Sequence, residues 1–181
     1  MTQKGKTNLQ YLLYVSLAVA LMAVCSFITL PLFVPITLQT LALYFTLFFL
    51  GGRGGSIAAT LYVSLGALGL PIFSGFAGGI GHLFSNTGGF IFGFIVAALV
   101  FWLFETLLKK AKWCAFISAS LSLASLYACG VLWYVFVYIS SEGTVPAILI
   151  TVLPTLLFDI VKIFVAYIIS SRLSKILNFR T

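Results

Sequence analysis

The sequence predicts an all-α membrane protein in which six transmembrane helices form one compact bundle. The chain has 181 residues, of which 62% are hydrophobic and only 7% are charged, whereas soluble domains carry about 25% charged residues. A membrane-spanning helix needs about 20 apolar residues, and six such segments use nearly the whole chain. We therefore predict a single integral membrane domain over residues 1–181, with no room for a separate soluble domain.

The six predicted spans follow one another in order with short connections. They cover residues 9–30, 36–51, 56–71, 88–108, 114–138 and 148–170. The first is too long for the apolar core of a signal peptide, so we interpret it as a membrane helix. The glycine-rich GGRGG segment is predicted to be the turn between the second and third spans. The loops from Pro31 and from Pro71 are apolar, and we expect them to fold back over the bundle, because irregular backbone near a membrane needs cover.

The basic residues predict the orientation of the bundle. If the N-terminus is cytoplasmic, every lysine and arginine except Lys162 falls on the cytoplasmic side, as the positive-inside rule requires. These residues are Lys4, Lys6, Arg53, Lys109, Lys110, Lys112, Arg172, Lys175 and Arg180. Both termini are thus predicted to be cytoplasmic. Topology explains the net charge of +7 better than nucleic-acid binding does.

Asp159 and Lys162 stand out because they lie deep in the sixth predicted span. Each charge at the centre of a membrane helix costs about 2.5–3.5 kcal/mol. The two residues are three apart, so they share one helix face. One interpretation is an ion pair that only fixes packing. The other, which we favour, is a ligand site in which Asp159 accepts N–H groups and Lys162 meets an anionic group.

Other polar or small residues admit two interpretations. Asn86 either caps a helix or faces a ligand, and Gln39 either caps a helix or faces a cavity. Ser16, Ala20 and Ala23 form a stripe of small residues in the first span. This stripe serves core packing if it faces the bundle, and docks another membrane helix if it faces lipid.

The chain lacks the sequence motifs of several classes of enzyme. The chain has no G-x-x-x-x-G-K-[ST], no H-E-x-x-H and no G-x-S-x-G, so it carries neither a P-loop ATPase site nor these catalytic sites. We predict no catalytic residues and no metal site, and therefore no enzyme. Six spans are also fewer than most self-sufficient secondary transporters use. A small binding protein that takes its energy from a partner fits better.

Four blocks of sequence, in order, resemble one known family. They are PITLQTL from Pro35, LYVSLGALGLPIFSG from Leu61, NTGGFIFGF from Asn86, and P-x-x-x-x-D-x-x-K from Pro154 to Lys162. Together they resemble the BioY family, the biotin-specific S components of energy-coupling factor (ECF) transporters. The chain departs from the usual family pattern at two places: Ser16-x-x-x-Ala20 replaces Ala-x-x-x-Ala in the first span, and Ser85-Asn86 stands where many relatives have Gly-Pro.

The resemblance implies a fold, a location and partners. It implies the six-helix S-component fold in the plasma membrane of a prokaryote, with a substrate cavity toward the outside that loops cap. It implies assembly with a transmembrane T subunit and two cytoplasmic ABC-type ATPases, with small residues on the first helix docking the T subunit. Biotin would be the transported ligand, with no cofactor.

The side chains offer what biotin needs. Its ureido ring has two N–H donors and a carbonyl, its middle is apolar, and its tail is a carboxylate. Asp159, Lys162, either Asn86 or Gln39, and aromatic residues including Tyr167 supply a matching set. Which end of biotin meets Asp159 and Lys162 stays open. The alternatives are an S component for another small carboxylated vitamin, or an intramembrane enzyme that acts on a lipid.

Overall fold

The computed structural model describes residues 3–30, 36–108, 113–138 and 145–176, and it is almost entirely helical. The long helices are α1 (Gln3–Phe27), α2 (Gln39–Ala67), α4 (Gly88–Leu107), α5 (Cys114–Trp133) and α6 (Val145–Ile176). A π-helical segment, Tyr134–Tyr138, continues α5. The shorter elements are β1 (Thr29–Leu30), β2 (Ile36–Thr37), a 3₁₀ turn (Ser74–Phe76) and α3 (Ile80–Leu83). The predicted all-helical bundle is confirmed.

The chain turns at the predicted GGRGG segment, between the second and third predicted spans. Gly51, with a φ of 74° and a ψ of 169°, breaks α2 into two helical halves. The halves lie side by side, because a Cβ added at Gly55 would lie 3.2 Å from Leu47 Cα and Gln39 is hydrogen-bonded to Tyr62. Glycine adopts this positive φ without a steric penalty. The N–H of Gly52 donates to Glu105 Oε2 at 2.7 Å, so a carboxylate from α4 stabilises the start of the second half of α2.

The bundle is built around α2. This helix packs against α1, α4 and α6, while α4 packs against α5. Several α2 side chains are completely buried, among them Leu43, Tyr44, Leu47 and Tyr62. Both halves of α2 therefore lie in the centre, and the other helices surround them.

Small residues allow α4 and α5 to approach closely. A Cβ atom added at Gly89 would lie 2.2 Å from Trp133 Cβ and 2.7 Å from Cys129 O. One added at Gly93 would lie 2.9 Å from Leu126 Cδ1. The Gly89-x-x-x-Gly93 spacing thus serves packing inside the chain, as small-residue spacings do where helix backbones come together.

We expect Gly89→Ala to destabilise the protein by about 1–3 kcal/mol or more, because the new methyl group overlaps backbone and Cβ atoms that cannot move independently. The matched control is Gly81→Ala, since a Cβ at Gly81 meets nothing within 4 Å. Thermal unfolding in detergent measures both. Equal melting temperatures for the two variants would contradict this packing.

The segment between α2 and α4 folds back over the bundle. The Phe73 ring is buried and fills the space beside Gly66, where a Cβ would lie 2.1 Å from Phe73 Cζ. Ser26 Oγ, at the end of α1, donates to the Ile72 carbonyl at 2.7 Å. Phe27 stacks on Phe76 with centroids 4.2 Å apart. The predicted covering role of this loop is confirmed, whereas most of the first loop, 31–35, lies outside the described residues.

Apolar surface covers the outside of the bundle. Within the described residues, four helical segments are long and apolar enough to cross a membrane: Leu9–Phe27, Gln39–Ala67, Gly88–Leu107 and Cys114–Phe136. On α1, Ser16 and Ala20 are exposed and Ala23 is half-buried. Ser16 and Ala20 of the small-residue stripe therefore lie on the outer surface of α1, whereas Ala23 packs against the core.

Candidate functional site

Asp159 and Lys162 form a buried ion pair on α6. Lys162 Nζ lies 2.6 Å from Asp159 Oδ1, and the two residues are only 8% and 2% exposed, respectively. Three residues along a helix bring side chains to the same face, which accounts for the contact. The chain therefore brings together the two charges that the sequence singled out.

The Asp159 carboxylate has two further partners from other helices. Thr40 Oγ1, in the first turn of α2, donates to Oδ1 at 2.8 Å. The hydroxyl of Tyr127, on α5, donates to Oδ2 at 2.8 Å. Each carboxylate oxygen has two lone pairs, so Oδ2 retains one acceptor position beyond its bond to Tyr127.

The Lys162 ammonium is fully engaged. Besides Asp159, Nζ donates to the Thr37 carbonyl at 2.8 Å and to Thr40 Oγ1 at 3.2 Å. An ammonium group has three protons, and each therefore has a protein acceptor. A ligand acceptor can reach Lys162 only by taking the place of one of these bonds.

The ion pair lies in a cavity between the starts of α2 and α4, the end of α5 and the middle of α6. The cavity has about 640 Å³ of space free of atoms, counting its open mouth. Phe73, Phe90, Phe94 and Leu126 provide apolar walls, and Thr37, Gln39, Thr40, Ser74, His82, Thr87, Ile91, Tyr127 and Thr155 complete the lining with the ion pair. Apolar walls with a few convergent polar groups are typical of a small-molecule site.

Gln39 also lines this cavity, at the first turn of α2. It is 5% exposed, and its Nε2 donates to the hydroxyl of Tyr62 at 2.7 Å. Its position agrees with the cavity-facing interpretation of the sequence rather than with a cap alone.

Two other predicted site residues lie elsewhere. Asn86 is half-buried in the turn before α4, and it is not among the residues that line the cavity. Tyr167 packs against Phe48 and Phe116 and lines a different depression near the far end of α6. Five residues separate it from Lys162, which is about 140° around a helix of 3.6 residues per turn. Tyr167 therefore faces away from the ion pair.

Sequence reasoning missed the hydroxyl groups that hold the pair. Thr40 lies in the PITLQTL block, next to Gln39, and this adjacency to a polar residue in an apolar segment was the available clue. Tyr127 is one of eight tyrosines, and nothing in its local sequence distinguishes it.

The imidazole of His82 lines the cavity and stacks on Phe73, with ring centroids 5.7 Å apart. Burial lowers its pKa below the ordinary value of about 6.5. The unfolded chain therefore binds a proton more readily than the folded one, and the stability contributed by neutral His82 is lost as the pH falls below about 6.5.

We accordingly expect the parent protein to lose a little thermal stability between pH 7 and pH 5, and a His82→Gln variant to lose less. The effect is small because the side chain is half-buried. His82 is the chain's single histidine, so the difference between the two melting curves reports this residue. A variant that loses as much stability as the parent would assign the pH dependence to other groups.

Comparisons with known proteins agree on one family. The model of the BioY family matches residues 1–179. The protein named biotin transporter BioY of Thermotoga maritima is 37% identical over 159 residues, 87% of this chain and 91% of that protein. The probable biotin transporter BioY of Pyrococcus horikoshii is 35% identical over 140 residues, 77% of this chain and 80% of that protein.

A solved structure shares the fold. The crystal structure of the S-component for biotin from an ECF-type ABC transporter superposes with a TM-score of 0.83. The match covers 97% of this chain and 95% of that one, at 24% sequence identity. The predicted S-component fold is confirmed.

Proposed function

The chain belongs to the BioY family, and from that membership we propose that it is the biotin-binding S component of an ECF-type transporter. It captures biotin and passes it on unchanged, so its activity is transport and not catalysis. The relatives reported above, which are named biotin transporters, support this function.

The observation that carries the proposal is the buried Asp159–Lys162 pair in an apolar cavity. Two charges in a membrane protein interior are costly, and a role in packing alone could be filled by apolar residues. Here the pair adjoins a cavity with phenylalanine walls. Acceptors, a cation and apolar walls match the ureido ring and the apolar middle of biotin.

The geometry favours one end of biotin for both charges. Because Lys162 Nζ and Asp159 Oδ1 are 2.6 Å apart, the two groups act at one place and not at opposite ends of an extended ligand. We propose that this place receives the ureido ring. The free acceptor position of Asp159 Oδ2 would take a ureido N–H, and Lys162 would exchange its bond to the Thr37 carbonyl for one to the ureido oxygen.

The same proposal includes orientation and partners. Arg53, Arg172 and Lys175 lie on parts of α2 and α6 remote from the cavity, and the positive-inside rule puts them in the cytoplasm. The cavity would then open to the outside of a prokaryotic cell membrane, and both termini would be cytoplasmic. A T subunit and two ABC-type ATPases would supply energy, with the exposed Ser16 and Ala20 of α1, flanked by Ala23, as the docking surface.

A binding titration tests the function. Purified protein in detergent should bind one equivalent of biotin by calorimetry and release it chemically unchanged on denaturation. Lipoate, thiamine and riboflavin should compete poorly. Equal competition by one of them would favour the alternative of an S component for another vitamin, and recovery of an altered product would favour an enzyme.

A second experiment tests the source of energy. Uptake of biotin into vesicles should increase and become ATP-dependent when the T subunit and the ATPases are present. If this chain alone accumulated biotin against a gradient to the same extent, its assignment as an S component would be contradicted.

A further inference from the structure

A chain of buried hydrogen bonds leads from the cavity to the covering loop. Gln39 Nε2 donates to the Tyr62 hydroxyl at 2.7 Å, and that hydroxyl donates to the Ile72 carbonyl at 2.7 Å. Tyr62 is fully buried in the core, where its ring packs edge-on against Phe73 with centroids 5.7 Å apart. We define these three groups, the Ile72 carbonyl, the Tyr62 hydroxyl and the Gln39 amide, as the relay.

The direction of the relay follows from its last member. A backbone carbonyl can only accept, so Tyr62 must give its single hydroxyl proton to Ile72. The Tyr62 oxygen can then only accept from Gln39, which must turn its NH₂ group toward Tyr62 and its carbonyl oxygen away. The Ile72 carbonyl therefore fixes the orientation of the Gln39 side-chain amide. Without such a constraint, the two orientations of an amide are hard to tell apart, because its nitrogen and oxygen are so similar.

The carbonyl oxygen of Gln39 remains available. Among the described residues, the Gln39 side chain forms no hydrogen bond other than that to Tyr62, and the backbone N–H of Gln39 donates to Thr37 Oγ1 at 3.3 Å. No buried side-chain oxygen in the described structure lacks a partner, so Gln39 Oε1 must be open to water. Because Gln39 lines the cavity, the opening is toward the ligand space.

We propose that the relay makes Gln39 a specificity-determining acceptor, so that the cavity selects a ligand with two N–H donors over one with an acceptor at either position. Asp159, which lines the same cavity, offers the second acceptor position at its Oδ2. This inference rests on the proposed function and adds to it: Tyr62, which does not line the cavity, would set which analogues of the ureido ring are accepted.

The test compares biotin with its two cyclic carbamate analogues, in each of which a ring oxygen replaces one ureido N–H without adding bulk. In the parent, the analogue with oxygen toward Gln39 should bind about tenfold or more weakly than biotin, because two acceptors then face each other. Gln39→Met, which has a similar shape and no amide, should bind biotin about two- to tenfold more weakly and should reduce the penalty for that analogue.

Tyr62→Phe gives the sharper result. Without the hydroxyl, the Gln39 amide can rotate and present its NH₂ group, so the ratio of analogue to biotin affinity should shift toward the analogue by about two- to tenfold. The covering loop keeps a donor, because Ser26 Oγ lies 2.7 Å from both the Ala23 and the Ile72 carbonyls and can give its single proton to Ile72. The matched controls are Tyr44→Phe, a buried tyrosine bonded to Ser122, and Gln10→Met on the exposed surface of α1.

The controls should leave both affinities and their ratio unchanged. If Tyr62→Phe and Gln39→Met still bind biotin and both keep the parent's ratio of analogue to biotin affinity, the role proposed for the relay is wrong and the proposed function is unaffected. Failure of the parent protein to bind biotin at all would instead contradict the proposed function.

Discussion

Replacing Asp159 by alanine is expected to weaken biotin binding by about ten- to more than a hundredfold, because a hydrogen bond to a charged group contributes about 1.5–3 kcal/mol. The change also leaves Lys162 as an unpaired charge in the interior, and breaking a buried pair in this way typically costs about 3–5 kcal/mol of stability. Calorimetry with biotin and thermal unfolding in detergent measure the two effects separately.

Lys162 provides the control for this prediction. If Lys162 meets the ureido oxygen, Lys162→Ala should weaken biotin and an uncharged amide derivative of biotin equally. A loss confined to biotin itself would place the ligand carboxylate at the lysine. The double variant Asp159→Ala, Lys162→Ala should recover stability, since it leaves no unpaired charge, but it should not recover affinity. Parental affinity in the double variant would make the pair purely structural.

Replacing Ala20 by tryptophan is expected to abolish assembly with the T subunit and to leave biotin binding unchanged. Ala20 is exposed on α1 beside Ser16. The Ser16 hydroxyl donates to the Leu12 carbonyl at 3.0 Å, so these small side chains need no polar partner on another helix. A tryptophan ring at position 20 would prevent another helix from approaching α1 closely. Co-purification with the T subunit measures assembly.

Ser120→Trp is the matched control, because Ser120 is a small exposed residue on α5. It should permit normal assembly. If Ala20→Trp assembled normally and Ser120→Trp did not, the docking surface would lie on α5 and not on α1.

The parts of the fold that depend on hydropathy were predictable from the sequence. The predicted fourth span, 88–108, agrees closely with α4, and the fifth agrees with α5 and its π-helical continuation. The turn at GGRGG was predictable too, but its geometry was not. Glycine permits many backbone conformations, and the carboxylate that stabilises the turn, Glu105, lies 53 residues away in the sequence.

Of the candidate site, only the two charged side chains were predictable from the sequence. Asp159 and Lys162 were conspicuous because charge in an apolar segment is rare. Threonine and tyrosine are ordinary residues in a membrane helix. Thr40 and Tyr127 become important only through the hydrogen bonds that they make to Asp159 across the bundle. The opposite error affected Tyr167, which lies on the correct helix but faces another side of it.

The balance of charge in the ion pair has an electrical consequence. A single charge moved across a membrane gains or loses about 2.3 kcal/mol for every 100 mV of potential. Asp159 and Lys162 are in contact at 2.6 Å and carry opposite charges. The net charge of the pair is therefore close to zero, and the membrane potential exerts almost no net force on it. Their joint displacement would be nearly independent of membrane voltage, so the cell could change its membrane potential without acting on this pair directly.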